Sequence, residues 1–141
     1  MTMINFKKVE QETLESTIND IFKEQNEQHF EETLERHAEV IAIGAYDGEK
    51  IIGGIIAKKE YQNIHVSMLA VSNEYRGQDI GSQLLMKIEK LGKESGIINL
   101  TLTTRSYQAV EFYKKAGFTV FGTLDDMPMQ GVTKYYFNKR L

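Results

Sequence analysis

The sequence predicts a single α/β domain over residues 1–141: a mixed, mainly antiparallel sheet with a parallel pair of central strands and helices on both faces. Three observations carry this. Strand-sized apolar runs outnumber the helical ones. Asp47-Gly48, a tight-turn dipeptide, joins two of the runs as a hairpin. An amphipathic segment beginning at Ile80 separates two further runs, so these should lie parallel through a right-handed crossover.

Taken in order, "MINFKKVE" reads as a short first strand. From Glu12, the spacing of Leu14, Ile18, Ile21 and Phe22 predicts a helix, and Phe30 with Leu34 suggests a second short one. "VIAIGAY" and "KIIGGIIAKKE" are the hairpin strands, and "NIHVSMLAV" is the next strand. Ile80, Leu84, Leu85, Ile88 and Leu91 share one helical face that ends near Gly96. "IINLTLT" is a β-branched strand. "YQAVEFYKKAGF" places Ala109, Phe112, Tyr113 and Ala116 on one face of a helix stopped by Gly117. "FTVFGTL" and "VTKYYFN" close the chain as a strand pair around Pro128 and Gly131.

Composition narrows the function. With 141 residues, 41% of them hydrophobic, the chain can close a core of its own. It has no cysteine, which excludes disulfides, thiolate metal sites and a cysteine acyl intermediate, and fits a reducing cytoplasm. No apolar run is long enough to enter a membrane. A net charge of -3 argues against a broad nucleic-acid footprint. His29 and His37 lack the further ligands that a metal site needs.

The stretch "YRGQDIGSQLL" joins a strand to a helix. A helix starting at Ile80 presents unpaired amides and the positive end of its dipole, both suited to an anion. Gly77 and Gly81 allow close approach, and Arg76 adds a fork suited to phosphate. Taken alone, a glycine-bearing turn of this kind is more often structural than anion-binding. It lacks the Gly-Lys-Ser/Thr of a Walker loop. Asp79, an acid inside an anion loop, is expected to serve as the N-cap, its carboxylate accepting an amide one turn on.

The blocks "LAVSNEYRGQDIGSQLL", "NLTLTTRSYQAVEFYKKAGF" and "YYFNKRL" resemble the GNAT superfamily of acetyl-CoA-dependent N-acetyltransferases. The family signature runs Arg/Gln, two residues, Gly, one residue, Gly/Ala. Arg76, Asp79 and Gly81 hold those places, so the first glycine is replaced. Ala109, Val110, Phe112, Tyr113, Gly117 and Phe118 match the second block, with Ser106 where asparagine is frequent.

The resemblance implies that the strand ending at Val71 splays from its parallel neighbour to admit the pantetheine arm of acetyl-CoA. Leu69, Ala70 and Val71 would pair with that arm, and one of their amides would hold the thioester oxygen. Arg76, Gly77, Gln78, Asp79, Ile80, Gly81 and Ser82 would wrap the pyrophosphate. Tyr113 would be the general acid for the departing thiolate; spacing alone would read it as a core aromatic.

On the strand, His65, Ser67, Leu69 and Val71 should point together. His65 stands where some family branches keep a glutamate or the first of two histidines, and a neutral imidazole can accept a proton near pH 7. The alternative is a solvent-facing strand histidine, or one hydrogen-bonded to a neighbouring loop, with Glu60 as a weaker competing base. Glu24, Glu27, Glu31, Glu32, Asp125 and Asp126 would favour a cationic acceptor, unless they are only solvated faces. The implied function is acetyl transfer to a small-molecule or peptide amine in the cytoplasm, by a monomer or homodimer. The rival is a non-catalytic acyl-CoA-binding or partner-binding module.

Overall fold

The computed structural model describes residues 3–29 and 38–141, which fall into two compact units, Met1–Glu35 and Arg36–Leu141. In the first unit, residues 3–10 have no regular structure and lead into helix α1, Gln11–His29. The strand expected over "MINFKKVE" is therefore absent. Met3, Ile4, Phe6 and Val9 do not keep the two-residue period that a half-buried strand needs. The helix expected around Phe30 and Leu34 lies outside the described residues.

In the second unit, the described residues form one six-stranded sheet. Its members are β1 (Glu39–Asp47), β2 (Lys50–Glu60), β3 (Asn63–Val71), β4 (Asn99–Thr104), β5 (Thr119–Asp125) and β6 (Thr133–Arg140). Their spatial order is β1-β2-β3-β4-β6-β5, and only β3 and β4 run parallel. Helix α2 (Ile80–Glu94) makes the crossover between them, and α3 (Tyr107–Lys115) leads from β4 to β5.

Both helices bury their apolar stripes against the same face of the sheet. Leu84, Leu85 and Ile88 of α2 and Val110 and Tyr113 of α3 meet Ile55, Ile64, Leu100 and Phe137 in one core. Burying each such side chain contributes roughly 1.5–3 kcal/mol. The opposite face carries a cross-strand row, Lys58–His65–Thr101–Asn138–Thr119, running from β2 to β5.

Two departures from regular pairing matter for function. The β3–β4 ladder has only three rungs, Asn63↔Asn99, Ile64↔Leu100 and His65↔Thr101. Beyond the last rung β3 runs on to Val71 and β4 to Thr104, leaving facing edges that do not pair with each other. The second departure is a bulge in β3. Ala57 pairs with Val66 and Ile56 with Met68, so Ser67 is the extra residue.

That insertion overturns the expectation that His65, Ser67, Leu69 and Val71 share a face. Ile64 and Val66 before the bulge, and Leu69 and Val71 after it, all turn to the core. His65 is left on the other side of the sheet. One inserted residue reverses the alternation of everything that follows it.

Candidate active site

The open wedge between β3 and β4 continues into a cleft of about 920 Å³ on the helix-bearing side of the sheet. Leu69, Ala70 and Val71 form one wall, and Arg76, Gly77, Asp79, Ile80, Gly81 and Ser82 curl over its end. Ser106 and Tyr113 come from the α3 side. Gln78, expected with the loop, does not line the cleft, and neither does His65.

The loop is built backbone first. A 3-10 turn, Asn73–Tyr75, ends β3's approach, and the Tyr75 hydroxyl donates to Asp47 Oδ2 at the β1–β2 turn. That hydrogen bond, then burial, pushes the Tyr75 phenol up from its usual range. Arg76 is extended, whereas Gly77 (φ 85°) and Asp79 (φ 63°) are left-handed. The first helical bond of α2 runs from Gln83 N–H to the Asp79 carbonyl at 3.0 Å. The amides of Ile80, Gly81 and Ser82 precede it and have no intrahelical partner. They form the anion-facing end of the helix.

One expectation about this loop needs correction. Asp79 occupies the N-cap position, but its side chain makes no capping hydrogen bond. A capping side chain folds back on the helix from an extended backbone, and the left-handed Asp79 lacks that geometry. Gly81, which lines the cleft, also makes room for a neighbour: a Cβ there would lie 3.2 Å from Phe112 Cζ. Gly77 also lines the cleft; nothing lies within 4 Å of its would-be Cβ, and its positive φ favours glycine.

Tyr113 is 9% exposed and packs edge-on to Phe112 and Phe118, with Phe137 tilted beside it at 5.6 Å. Among the described residues its hydroxyl has no hydrogen-bond partner. Burial raises the phenol above its ordinary value of 10.0, so it stays protonated at neutral pH. Ser106 caps α3: its hydroxyl accepts from Ala109 N–H at 3.5 Å.

A clamp the sequence reading did not anticipate steadies this helix. Lys139 Nζ on β6 donates to the Ala116 carbonyl and to Glu89 Oε2 on α2, each at 2.9 Å. Glu89 also meets Lys93 at 3.3 Å. Burial alone would raise the Glu89 carboxyl, but hydrogen bonds from Lys139 and Lys93 outweigh it and hold it below its usual value. A usable signal existed. Tyr135, Phe137 and Lys139 alternate toward the core, and a charge at an inward position must find a partner.

His65 sits on the last rung of the parallel ladder, with Nδ1 2.9 Å from Thr101 Oγ1. Burial, and then the positive charge of Lys134, lower its pKa below 6.5. Asp125 and Asp126 are engaged inside the β5–β6 loop, with Thr133 Oγ1 and Gly131 N–H respectively. Glu31, Glu32 and His37 lie outside the described residues.

The wedge, the helix end and the cleft can be set beside known proteins. The profile described as the acetyltransferase (GNAT) family matches residues 6–118. The chain belongs to the GNAT acetyltransferase family. Blasticidin-S acetyltransferase of Streptomyces morookaense is 30% identical over 93 residues, 65% of this chain and 68% of that protein. The crystal structure of an acetyltransferase from Bacillus cereus ATCC 14579 superposes over 100% of both chains, with a TM-score of 0.83 and 30% identity.

An aminoglycoside 6'-N-acetyltransferase complexed with coenzyme A shares the fold (TM-score 0.66, 20% identity), with 99% of this chain and 97% of that one covered. Other relatives are matched over 54–69% of their length. This GNAT protein is an N-acetyltransferase whose donor is acetyl-CoA. Among the described residues no helix is long and apolar enough to cross a membrane.

Proposed function

We propose that the protein acetylates a small-molecule primary amine in the cytoplasm, with Tyr113 as general acid and His65 as general base. The observation that carries this reading is the placement of these two groups on opposite faces of the sheet, about the wedge where β3 and β4 part. The acceptor would approach from the His65 face, and the thiolate would leave on the Tyr113 face.

The residues fit the donor. The unpaired amides of Ile80, Gly81 and Ser82, with the Arg76 guanidinium, suit a pyrophosphate. The unshared edge of β3 at Leu69, Ala70 and Val71 offers main-chain partners to an extended amide-bearing arm. Acetyl-CoA supplies the acetyl group as a thioester. His65 Nε2 would take a proton from the acceptor ammonium, directly or through water, freeing the amine lone pair for attack. As the nitrogen–carbon bond forms and the carbon–sulfur bond breaks, Tyr113 would give its proton to the thiolate. It would be reprotonated through solvent, into which the new amide nitrogen releases its second proton. The products are the N-acetyl amine and free thiol.

The test is thiol release from acetyl-CoA over a panel of small amines, with amino sugars, a polyamine and a lysine peptide included. Small amines should be turned over in preference to the peptide, and Tyr113→Phe should be slow on the same acceptors. Tight CoA binding by calorimetry with no amine-dependent thiol release would instead identify a non-catalytic acyl-CoA-binding module.

A further inference from the structure

The face of the sheet that carries His65 has a charge pattern of its own where β3 and β4 part. Leu69, Val71, Tyr135 and Phe137 turn to the core, so Met68, Ala70, Tyr136 and Lys134 turn to the His65 face. Thr103, opposite Tyr136 on β4, joins them. Of these five only Lys134 is charged. Lys58 stands opposite His65 itself. Glu60, the carboxylate on this face of β2, stands opposite Asn63, at the closed end of the parallel ladder.

Asp125 and Asp126, which the sequence offered to a cationic acceptor, do not change this sign. Asp125 pairs with Thr133, one position from the Leu124↔Lys134 pair, so alternation turns it to the other face, and it accepts from Thr133 Oγ1. Asp126 accepts from Gly131 N–H within the turn.

Lys134 is half-buried and has no carboxylate partner among the described residues. A lysine without a partner ordinarily keeps its charged head in water. Here the ammonium lies 5.4 Å from the centroid of the Tyr136 ring, and Phe121 meets the same ring at 6.1 Å. An aromatic face steadies a cation without neutralising it. Tyr136 lies between Lys134 and the His65 row on β6, and the lysine's charge is felt there. After burial, it is the second cause that lowers the His65 pKa.

We propose that Lys134 is a specificity-determining residue whose ammonium receives a carboxylate of the acceptor, so that the acceptor is a small primary amine that also carries an acid group. One compact ammonium matches one carboxylate in charge. The Tyr136 and Phe121 rings offer apolar surface to the carbon chain between the two groups. This deepens the function proposed above and rests on the acceptor entering from the His65 face.

The test compares matched acids and carboxamides, which share an amine and differ in charge: β-alanine, γ-aminobutyrate and ε-aminocaproate, each against its primary amide. Thiol release from acetyl-CoA, at a pH well above the acidic limb, gives kcat/KM for each pair. Calorimetry on the CoA-bound full chain gives their affinities. At the best chain length the acid should exceed its amide by about ten- to a hundredfold, as expected for a hydrogen bond between charged groups. The difference should lie in KM rather than kcat. Lys134→Arg should keep the ratio of acid to amide, and Lys134→Met should bring it close to one. Amines turned over with no preference for the acids overturn the inference, as does a ratio that survives Lys134→Met. Binding without preference overturns it whether or not thiol is released. A Lys134-dependent preference in binding with no thiol release from any amine would uphold the acid site and overturn the proposed turnover, so the two failures are distinct.

Discussion

Gly77 and Asp79, two residues apart in the loop before α2, both adopt left-handed backbone, at φ 85° and 63°. Glycine takes that conformation freely, while aspartate takes it at a cost of about 1–2 kcal/mol. Asp79 thus holds a glycine-like backbone where the family signature has glycine. Its side chain makes no capping hydrogen bond, and the residue lines the same cleft as Arg76.

Serine separates this account from a capping role, because it caps as well as aspartate yet is poor in left-handed backbone. Asp79→Ser should be about 1 kcal/mol less stable than Asp79→Gly in urea unfolding. Equal stability of the serine variant and the parent would restore the cap. Removing the charge should also strengthen CoA binding, in both Asp79→Gly and Asp79→Asn, and more so at low salt. Calorimetric titration at two salt concentrations reads this.

What the sequence made legible follows its physics. The outer ends of the strands Lys50–Glu60 and Asn63–Val71 were readable because Asp47-Gly48 precedes the first and Ser72-Asn73 follows the second. The helix starts at Ile80 and Tyr107 followed from apolar spacing. The bulge at Ser67 left no compositional mark, so the faces of Leu69 and Val71 were misassigned. The same blindness to backbone sign made Asp79 look like a cap. The clamp from Lys139 to Glu89 spans 50 residues, and only the inward parity of Lys139 hinted at it.

Tyr113→Phe keeps the ring packing against Phe112, Phe118 and Phe137 and deletes only the hydroxyl. kcat should fall by about ten- to a thousandfold, with CoA affinity and melting temperature near the parent's. Because burial raises the phenol above 10.0, Tyr113 should produce no alkaline limb at neutral or mildly basic pH. Unchanged kcat, with the chemical step shown to limit the rate, would return Tyr113 to a packing role.

Lys139 links β6, α2 and the C-terminal end of α3, so Lys139→Met should act on both stability and catalysis. It strips a donor from the Ala116 carbonyl and leaves Glu89 with Lys93 alone. Stability should fall by about 1–3 kcal/mol. A double-mutant cycle with Glu89→Gln isolates the pair, and strictly additive losses would show no coupling. Glu89's carboxyl is depressed in the fold, so its contribution is present above its unfolded pKa. It is lost as pH falls through the folded value. The pH dependence of stability below about 4.5 should therefore flatten in Glu89→Gln.

The base assignment can be probed without touching His65. Its pKa is lowered first by burial and then by Lys134. A base must be unprotonated to act, so kcat/KM should hold its plateau at neutral pH and decline only as pH falls through a value below 6.5. Lys134→Met removes the second cause. The ring then protonates more readily, and the acidic limb should move to higher pH. Lys134 also lies 5.4 Å from the Tyr136 ring centroid, a contact that methionine's sulfur can partly replace, which limits repacking. Lys58→Met, opposite His65 on β2 but not among the causes of the shift, should leave the limb in place. Steady-state profiles of kcat/KM in the parent and both variants provide the measurement. A limb that stays in place in Lys134→Met, with the His65 resonances shifting as expected, would mean that another group sets it, and Glu60 would be the next carboxylate to replace.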